Sequence, residues 1–130
     1  MIVVDASALL EVLLRTAAAG AVETHLFDER QTLHAPHLLD IEVAQVLRRY
    51  AAIGDIDERR GSAALADLAD FPIRRYPHDF LLTRVWSLRS NFTAYDAVYV
   101  ALAEALNARL LTRDRRLAAA VRRHTSIQLA

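Results

Sequence analysis

The chain contains no cysteine and no lysine. Without cysteine there is no disulfide, no thiolate zinc site and no cysteine nucleophile. A reducing cytoplasm is the compatible setting, and a cytoplasmic location is the expectation. Without lysine, no Gly-Lys pair can reach the terminal phosphates of a nucleotide, which removes P-loop hydrolysis. Schiff-base chemistry is removed for the same reason. All 16 cationic side chains are therefore arginine, and 16 acidic ones balance them to a net charge of zero. No overall field attracts a polyanion, so any contact with nucleic acid must come from local patches. Long apolar runs are also missing. None approaches the roughly 18 residues that a bilayer span needs. The opening Met1-Ile2-Val3-Val4-Asp5 lacks the basic region of a signal peptide.

What is present describes one globular domain spanning residues 1–130. The composition is 54% hydrophobic and 25% charged, enough for a single core and without a disorder signature. Ile2-Val3-Val4 suits a buried strand. Helices are expected at 8–14 and 17–28, then a short strand at 33–35. An amphipathic helix follows over 38–53, stopped by Gly54, and another over 57–70 with Asp57 as its N-cap. A strand at 72–76 and a helix at 80–89 come next. Residues 94–107 are apolar nearly all round and read as a buried helix, with Asn107 closing it. A strand at 109–112, a helix at 114–123 and a last strand at 126–129 complete the pattern. Strands alternating with helices imply an α/β fold, a parallel sheet covered on both faces.

The acids then fall in a suggestive place. Open α/β sheets bind ligands beyond the carboxyl ends of their strands. Asp5 directly follows the first strand and Asp114 follows Leu110-Leu111-Thr112. Asp96 lies in the first turn of the buried helix, and Glu42 lies early in the helix after the second strand. Ordinary crossovers bring all four to one sheet edge. Two carboxylates about 4 Å apart repel by roughly 4 kcal/mol at an effective dielectric near 20, so such a group needs a compensating cation. Oxygen donors suit Mg²⁺, with Mn²⁺ as a substitute, and the resulting site is suited to activating water toward a phosphodiester. Each acid also has a plain structural reading. Asp5 and Asp114 suit helix N-caps, Thr93-x-x-Asp96 resembles a capping box, and Glu42 suits a solvated helix rim. By spacing alone Glu42 and Asp40 are hardly separable.

The segments Val-Val-Asp5-Ala-Ser7-Ala, Thr93-Ala-Tyr-Asp96-Ala-Val-Tyr-Val-Ala-Leu-Ala-Glu and Leu-Leu-Thr112-Arg-Asp114-Arg-Arg-Leu, with Glu42 between the first two, resemble the PIN-domain nucleases. The likeness is greatest to the VapC-type toxins of bacterial toxin–antitoxin pairs, and it runs over essentially the whole chain. It implies a PIN-like fold with a twisted parallel sheet between helices, and a Mg²⁺-dependent endoribonuclease leaving 5′-phosphate and 3′-hydroxyl ends. Asp5, Asp96 and Asp114 correspond to metal ligands. Glu42, favoured over Asp40 by the likeness, corresponds to a fourth acid that shapes the water network or acts as base. Ser7 and Thr112 match supporting hydroxyl positions. The likeness also implies a homodimer and an antitoxin partner that plugs the acidic crevice.

Other residues carry less. The five histidines, His25, His34, His37, His78 and His124, show no zinc-like spacing. Trp86, Tyr95 and Tyr99 suit base stacking but sit among apolar neighbours, as core residues do. Arg113, Arg115 and Arg116 flank Asp114 and are candidate phosphate contacts; a solvated helix face explains them as well. An aspartyl-phosphate on Asp5 would need a lysine that the chain lacks and a second aspartate where Ser7 stands. The alternative to the nuclease is a catalytically inactive PIN-like scaffold that binds RNA or protein.

Overall fold

A computed structural model describes all of residues 1–130. Four strands form one sheet: β1 (Ile2–Val4), β2 (Leu33–Pro36), β3 (Ile73–Tyr76) and β4 (Arg109–Leu111). Every pairing is parallel and the order is β3-β2-β1-β4. Helices α1 (Ala6–Leu13) and α2 (Ala19–Leu26) join β1 to β2, and α3 (Leu38–Ala52) and α4 (Glu58–Asp70) join β2 to β3. A 3₁₀ turn (Asp79–Leu81), α5 (Leu82–Ser87) and α6 (Ala94–Leu106) lead to β4, followed by α7 (Arg115–His124).

This order explains the two helical layers. The chain steps from β1 to β2 to β3 in one direction, then crosses back to the far side of β1. Right-handed crossovers place the first helices on one face and those of the return on the other. Accordingly α1 contacts α2, α3 and α4, whereas α6 contacts α5 and lies against β1, β2 and β4. The reversal leaves a switch point between β1 and β4, the place where open α/β sheets hold their ligands.

Burial follows the sequence pattern. Ile2, Val3 and Val4 are fully inaccessible, because both faces of the central strand are covered. On α6 the seven consecutive residues Ala97 to Ala103 are buried, as a helix without a polar face requires. Asn107 adopts the left-handed conformation (φ 49°) at its end, and Gly54 takes φ +84° just beyond α3.

Two elements differ from expectation. The region 80–89 is broken into the 3₁₀ turn and α5, which ends at Ser87; there the Arg84 carbonyl accepts both the Ser87 hydroxyl at 2.7 Å and the Leu88 N–H at 3.1 Å. The last strand is reduced to a single parallel bridge between Leu110 and Leu129. There the Thr125 hydroxyl accepts the Ile127 N–H at 3.1 Å, folding the start of the segment into a side-chain turn instead of a ladder.

Candidate active site

The site lies where β1 and β4 end. The Asp5 N–H still donates to the Leu111 carbonyl (3.1 Å), which holds the first residue after β1 beside the last residue of β4. Asp5 is 5% exposed, one of two buried polar residues in the chain. Its Oδ1 accepts the Ser7 hydroxyl (2.7 Å) and the Ala8 N–H (3.1 Å), the latter capping α1. Its Oδ2 accepts the Thr112 hydroxyl at 2.6 Å. Helix α1 therefore begins two residues earlier than the sequence pattern suggests, and Ser7 sits in its first turn.

The two hydroxyls tie the strand ends together. Ser7 Oγ and Thr112 Oγ1 are 3.2 Å apart. Ser7 also accepts the Arg113 N–H (2.8 Å), and Thr112 accepts the Asp114 N–H (3.0 Å). Asp114 in turn caps α7, its Oδ1 accepting the N–H groups of Arg116 and Leu117. Its Oδ2 accepts no hydrogen bond from the chain. The Asp96 N–H donates to Thr93 at the start of α6 (3.2 Å). Glu42 is half-buried on α3, and its Oε1 accepts the Tyr99 hydroxyl at 2.6 Å.

The charges of these four acids interact. Burial pushes the Asp5 carboxyl above its ordinary value, and the Asp114 charge adds to the rise. Burial likewise raises Asp96, with Asp114 and Asp5 contributing. Glu42 is raised by burial and by Asp5 and Asp96, against the pull of the Tyr99 hydrogen bond. None of the chain's three ion pairs involves any of the four. Asp40 is different. It accepts two bonds from the Arg75 guanidinium, at 2.7 and 2.8 Å, so its charge is already matched away from the crevice.

An all-oxygen, mutually repelling and unpaired donor set fits a hard divalent cation. No three His, Asp or Glu side chains stand close enough together to ligate one ion. Mg²⁺ keeps several waters and takes few carboxylates directly. Asp5 Oδ2, Asp114 Oδ2 and the Asp96 carboxylate are the oxygens with capacity left for such an ion or its waters.

A groove of about 650 Å³ is lined by Ser7 and Leu10 of α1, by Ile41, Glu42 and Gln45 of α3 and by Arg113, and of the four acids only Glu42 lines it. Arg113, Arg115 and Arg116 are exposed and make no ion pair. Tyr95 is 64% exposed and Trp86 69% exposed, so neither is the core residue that its neighbours suggest. Tyr99 is 2% exposed, yet it ends on Glu42. Its position three residues after Asp96, on the same helical face, is the sequence signal that places its hydroxyl near the acids.

The PIN domain family model matches residues 2–122. Ribonuclease VapC9 of Mycobacterium tuberculosis is 47% identical over 117 residues, covering 90% of this chain and 88% of that one. The crystal structure of PAE2754 from Pyrobaculum aerophilum superposes with a TM-score of 0.70 at 28% identity, covering 98% of this chain and 81% of that one. A toxin-antitoxin complex from Klebsiella pneumoniae shares the fold, with a TM-score of 0.62 at 18% identity and coverage of 88% and 87%.

Proposed function

The chain belongs to the PIN-domain family, among its VapC-type ribonucleases, and from that membership we propose a divalent-metal-dependent endoribonuclease acting as the toxin of a toxin–antitoxin pair. What supports the metal chemistry is the mutual electrostatic influence of Asp5, Glu42, Asp96 and Asp114 at one sheet edge, with the carboxyls of Asp5, Glu42 and Asp96 raised and no cation paired to any of the four.

In this reading Asp5, Asp96 and Asp114 hold Mg²⁺ or Mn²⁺. When bound, the ion supplies neutralising charge for the acids and the phosphate, and a more acidic water. The chain's own groups do the rest. Ser7 and Thr112 fix the Asp5 carboxylate by hydrogen bonds to both oxygens, so little reorganisation is left for the moment of reaction. Glu42 orients the attacking water through Oε2, the oxygen that Tyr99 does not occupy, and is placed to accept its proton. Arg113, Arg115 and Arg116 bind phosphates flanking the scissile bond by bidentate contacts. A cationic side chain of an antitoxin, inserted among the same acids, would supply the charge that an ion would otherwise provide. A homodimer in the cytoplasm is the expected form of the free toxin. No helix is long and apolar enough to cross a membrane.

The test is cleavage of total RNA by the purified chain with Mg²⁺, with Mn²⁺ and with chelator, beside Asp5→Asn and Asp96→Asn. Cleavage that needs the metal and is abolished by both substitutions is expected. Equal cleavage by all three proteins would remove the catalytic assignment. The open arrangement of the acids leaves an inactive scaffold as the second reading. It predicts no thermal stabilisation by Mn²⁺, whereas specific binding at 100 times Kd adds about 2.7 kcal/mol.

A further inference from the structure

We propose that Tyr99 is a positioning residue, its buried hydroxyl fixing the Glu42 carboxylate in the crevice between α3 and α6; this role rests on the nuclease reading for its consequence, though not for its geometry. Glu42 is the one acid of the four whose placement depends on a long side chain. Asp5 and Asp114 are held by their own helix caps, and Asp96 has a short side chain on the first turn of α6. Glu42 has three rotatable bonds, stands on a partly exposed helix rim, and is repelled by Asp5 and Asp96. Left to itself it would turn outward, where water solvates its charge and the repulsion falls.

Tyr99 opposes that. Its ring is among the largest fully buried side chains of the chain, set in the continuous apolar stretch of α6, so it cannot follow Glu42 outward. Its hydroxyl donates to Glu42 Oε1 at 2.6 Å and has no other partner. That is the short distance of a charge-assisted O–H···O⁻ bond. One oxygen of Glu42 is thereby anchored to the rigid core and the other is left for the crevice. Swinging Glu42 away would strand a buried phenol without an acceptor, and a buried unsatisfied hydroxyl is costly. The phenol remains a donor at any ordinary pH, because burial and the neighbouring carboxylates push its ionisation far above the usual tyrosine value.

Tyr99→Phe removes one oxygen and keeps the ring, so the core stays filled. Partners that orient the groups of a metal site are worth about 10- to 100-fold in activity or metal affinity. The experiment is a double-mutant cycle of Tyr99→Phe, Glu42→Ala and the two combined, reading kcat and KM on RNA, Mn²⁺ affinity by electron paramagnetic resonance, and Tm. The expected result is a fall in kcat of about 10-fold or more for Tyr99→Phe, with KM changed less than about twofold if substrate binding is untouched. In the Glu42→Ala background Tyr99→Phe should cost nothing further in kcat or Mn²⁺ affinity, since its acceptor is already gone. An equal loss in both backgrounds would show that Tyr99 acts through packing and would overturn the proposal, as would a fully active Tyr99→Phe. Either result leaves the nuclease reading intact if Asp5→Asn still abolishes cleavage. Conversely, a wild-type chain that cleaves no RNA but binds Mn²⁺ with an affinity that Tyr99→Phe weakens only when Glu42 is present removes the nuclease reading and supports the positioning role.

Discussion

Replacing Asp5 with asparagine should make the metal-free protein more stable while destroying its activity. The network around Asp5 accepts the amide without loss. Ser7 Oγ and the Ala8 N–H keep donating to the retained oxygen. The new N–H₂ faces Thr112 Oγ1, which turns its own proton toward Ser7 Oγ, 3.2 Å away, and still accepts the Asp114 N–H. Every partner stays satisfied with one hydroxyl rotated. The charge is what goes. Burial, then Asp114, raises the Asp5 carboxyl against the opposing pull of Thr112, Ser7 and Ala8, so its ionised form is disfavoured in the folded state relative to the unfolded one. Relief on the order of 1 kcal/mol follows, raising Tm by about 3–5 °C for a domain of this size. The sign reverses with metal. At about 100 times Kd, Mn²⁺ adds about 2.7 kcal/mol to the wild type and little to the variant. Differential scanning fluorimetry of both proteins, with EDTA and with Mn²⁺, should therefore show crossing Tm orders. The EDTA difference should also narrow as the pH falls from 7 toward 4, because protonating Asp5 does what the amide does. A variant several degrees less stable than wild type in EDTA would refute the argument.

Thr112→Val, nearly isosteric, removes the donor to Asp5 Oδ2 and the acceptor of the Asp114 N–H; Mn²⁺ affinity measured by titration should weaken about 10- to 100-fold. Asp40→Asn should leave RNA cleavage at wild-type levels, since Asp40 is tied to Arg75, and urea unfolding should show a loss of about 1 kcal/mol for a partly exposed bidentate pair. If Asp40→Asn abolishes cleavage and Glu42→Ala does not, the two acids are wrongly distinguished. His34 is buried with Thr32 Oγ1 at 2.8 Å and the Tyr76 hydroxyl at 2.7 Å on its two ring nitrogens, and burial, the N-terminus and Arg74 lower its pKa. Its NMR titration midpoint should lie below the ordinary value of about 6.5. The folded state then resists the proton that the unfolded state accepts, so this residue's contribution is complete above about pH 6.5 and is lost as the pH falls toward the folded midpoint. A midpoint above 6.5 contradicts that account.

The parts of the molecule most legible in the sequence were those set by local chemistry. Asp57 before α4, Asn107 after α6 and Gly54 after α3 each do what their side chains or φ preferences require. The fully apolar surround of residues 97–103 forced burial. Less legible was whatever depended on one side chain choosing between partners. The Thr125 hydroxyl folds the expected last strand into a turn, a choice that has no periodicity. The separation of Glu42 from Asp40 was of the same kind. The two lie two positions apart on one helix, and what divides them is Arg75 on β3 for one and Tyr99 on α6 for the other, both tertiary neighbours.

For the aspartates, the helix caps and the proposed chemical role draw on different atoms of the same side chain. Asp114 spends Oδ1 on the two N–H groups of α7 and leaves Oδ2 open. Asp5 spends Oδ1 on Ser7 and α1, while Oδ2 receives the single Thr112 hydroxyl. A carboxylate has about four acceptor positions, so capping a helix consumes about half of it. The cap also aims the remainder, because a side chain bonded to the first N–H groups of the following helix cannot rotate freely. A helix that begins at the carboxyl end of a strand therefore provides, through one aspartate, both its own start and, in the proposed site, a carboxylate oxygen left over for an ion. Glu42 has no such cap to aim it, and a tyrosine from another helix takes that part.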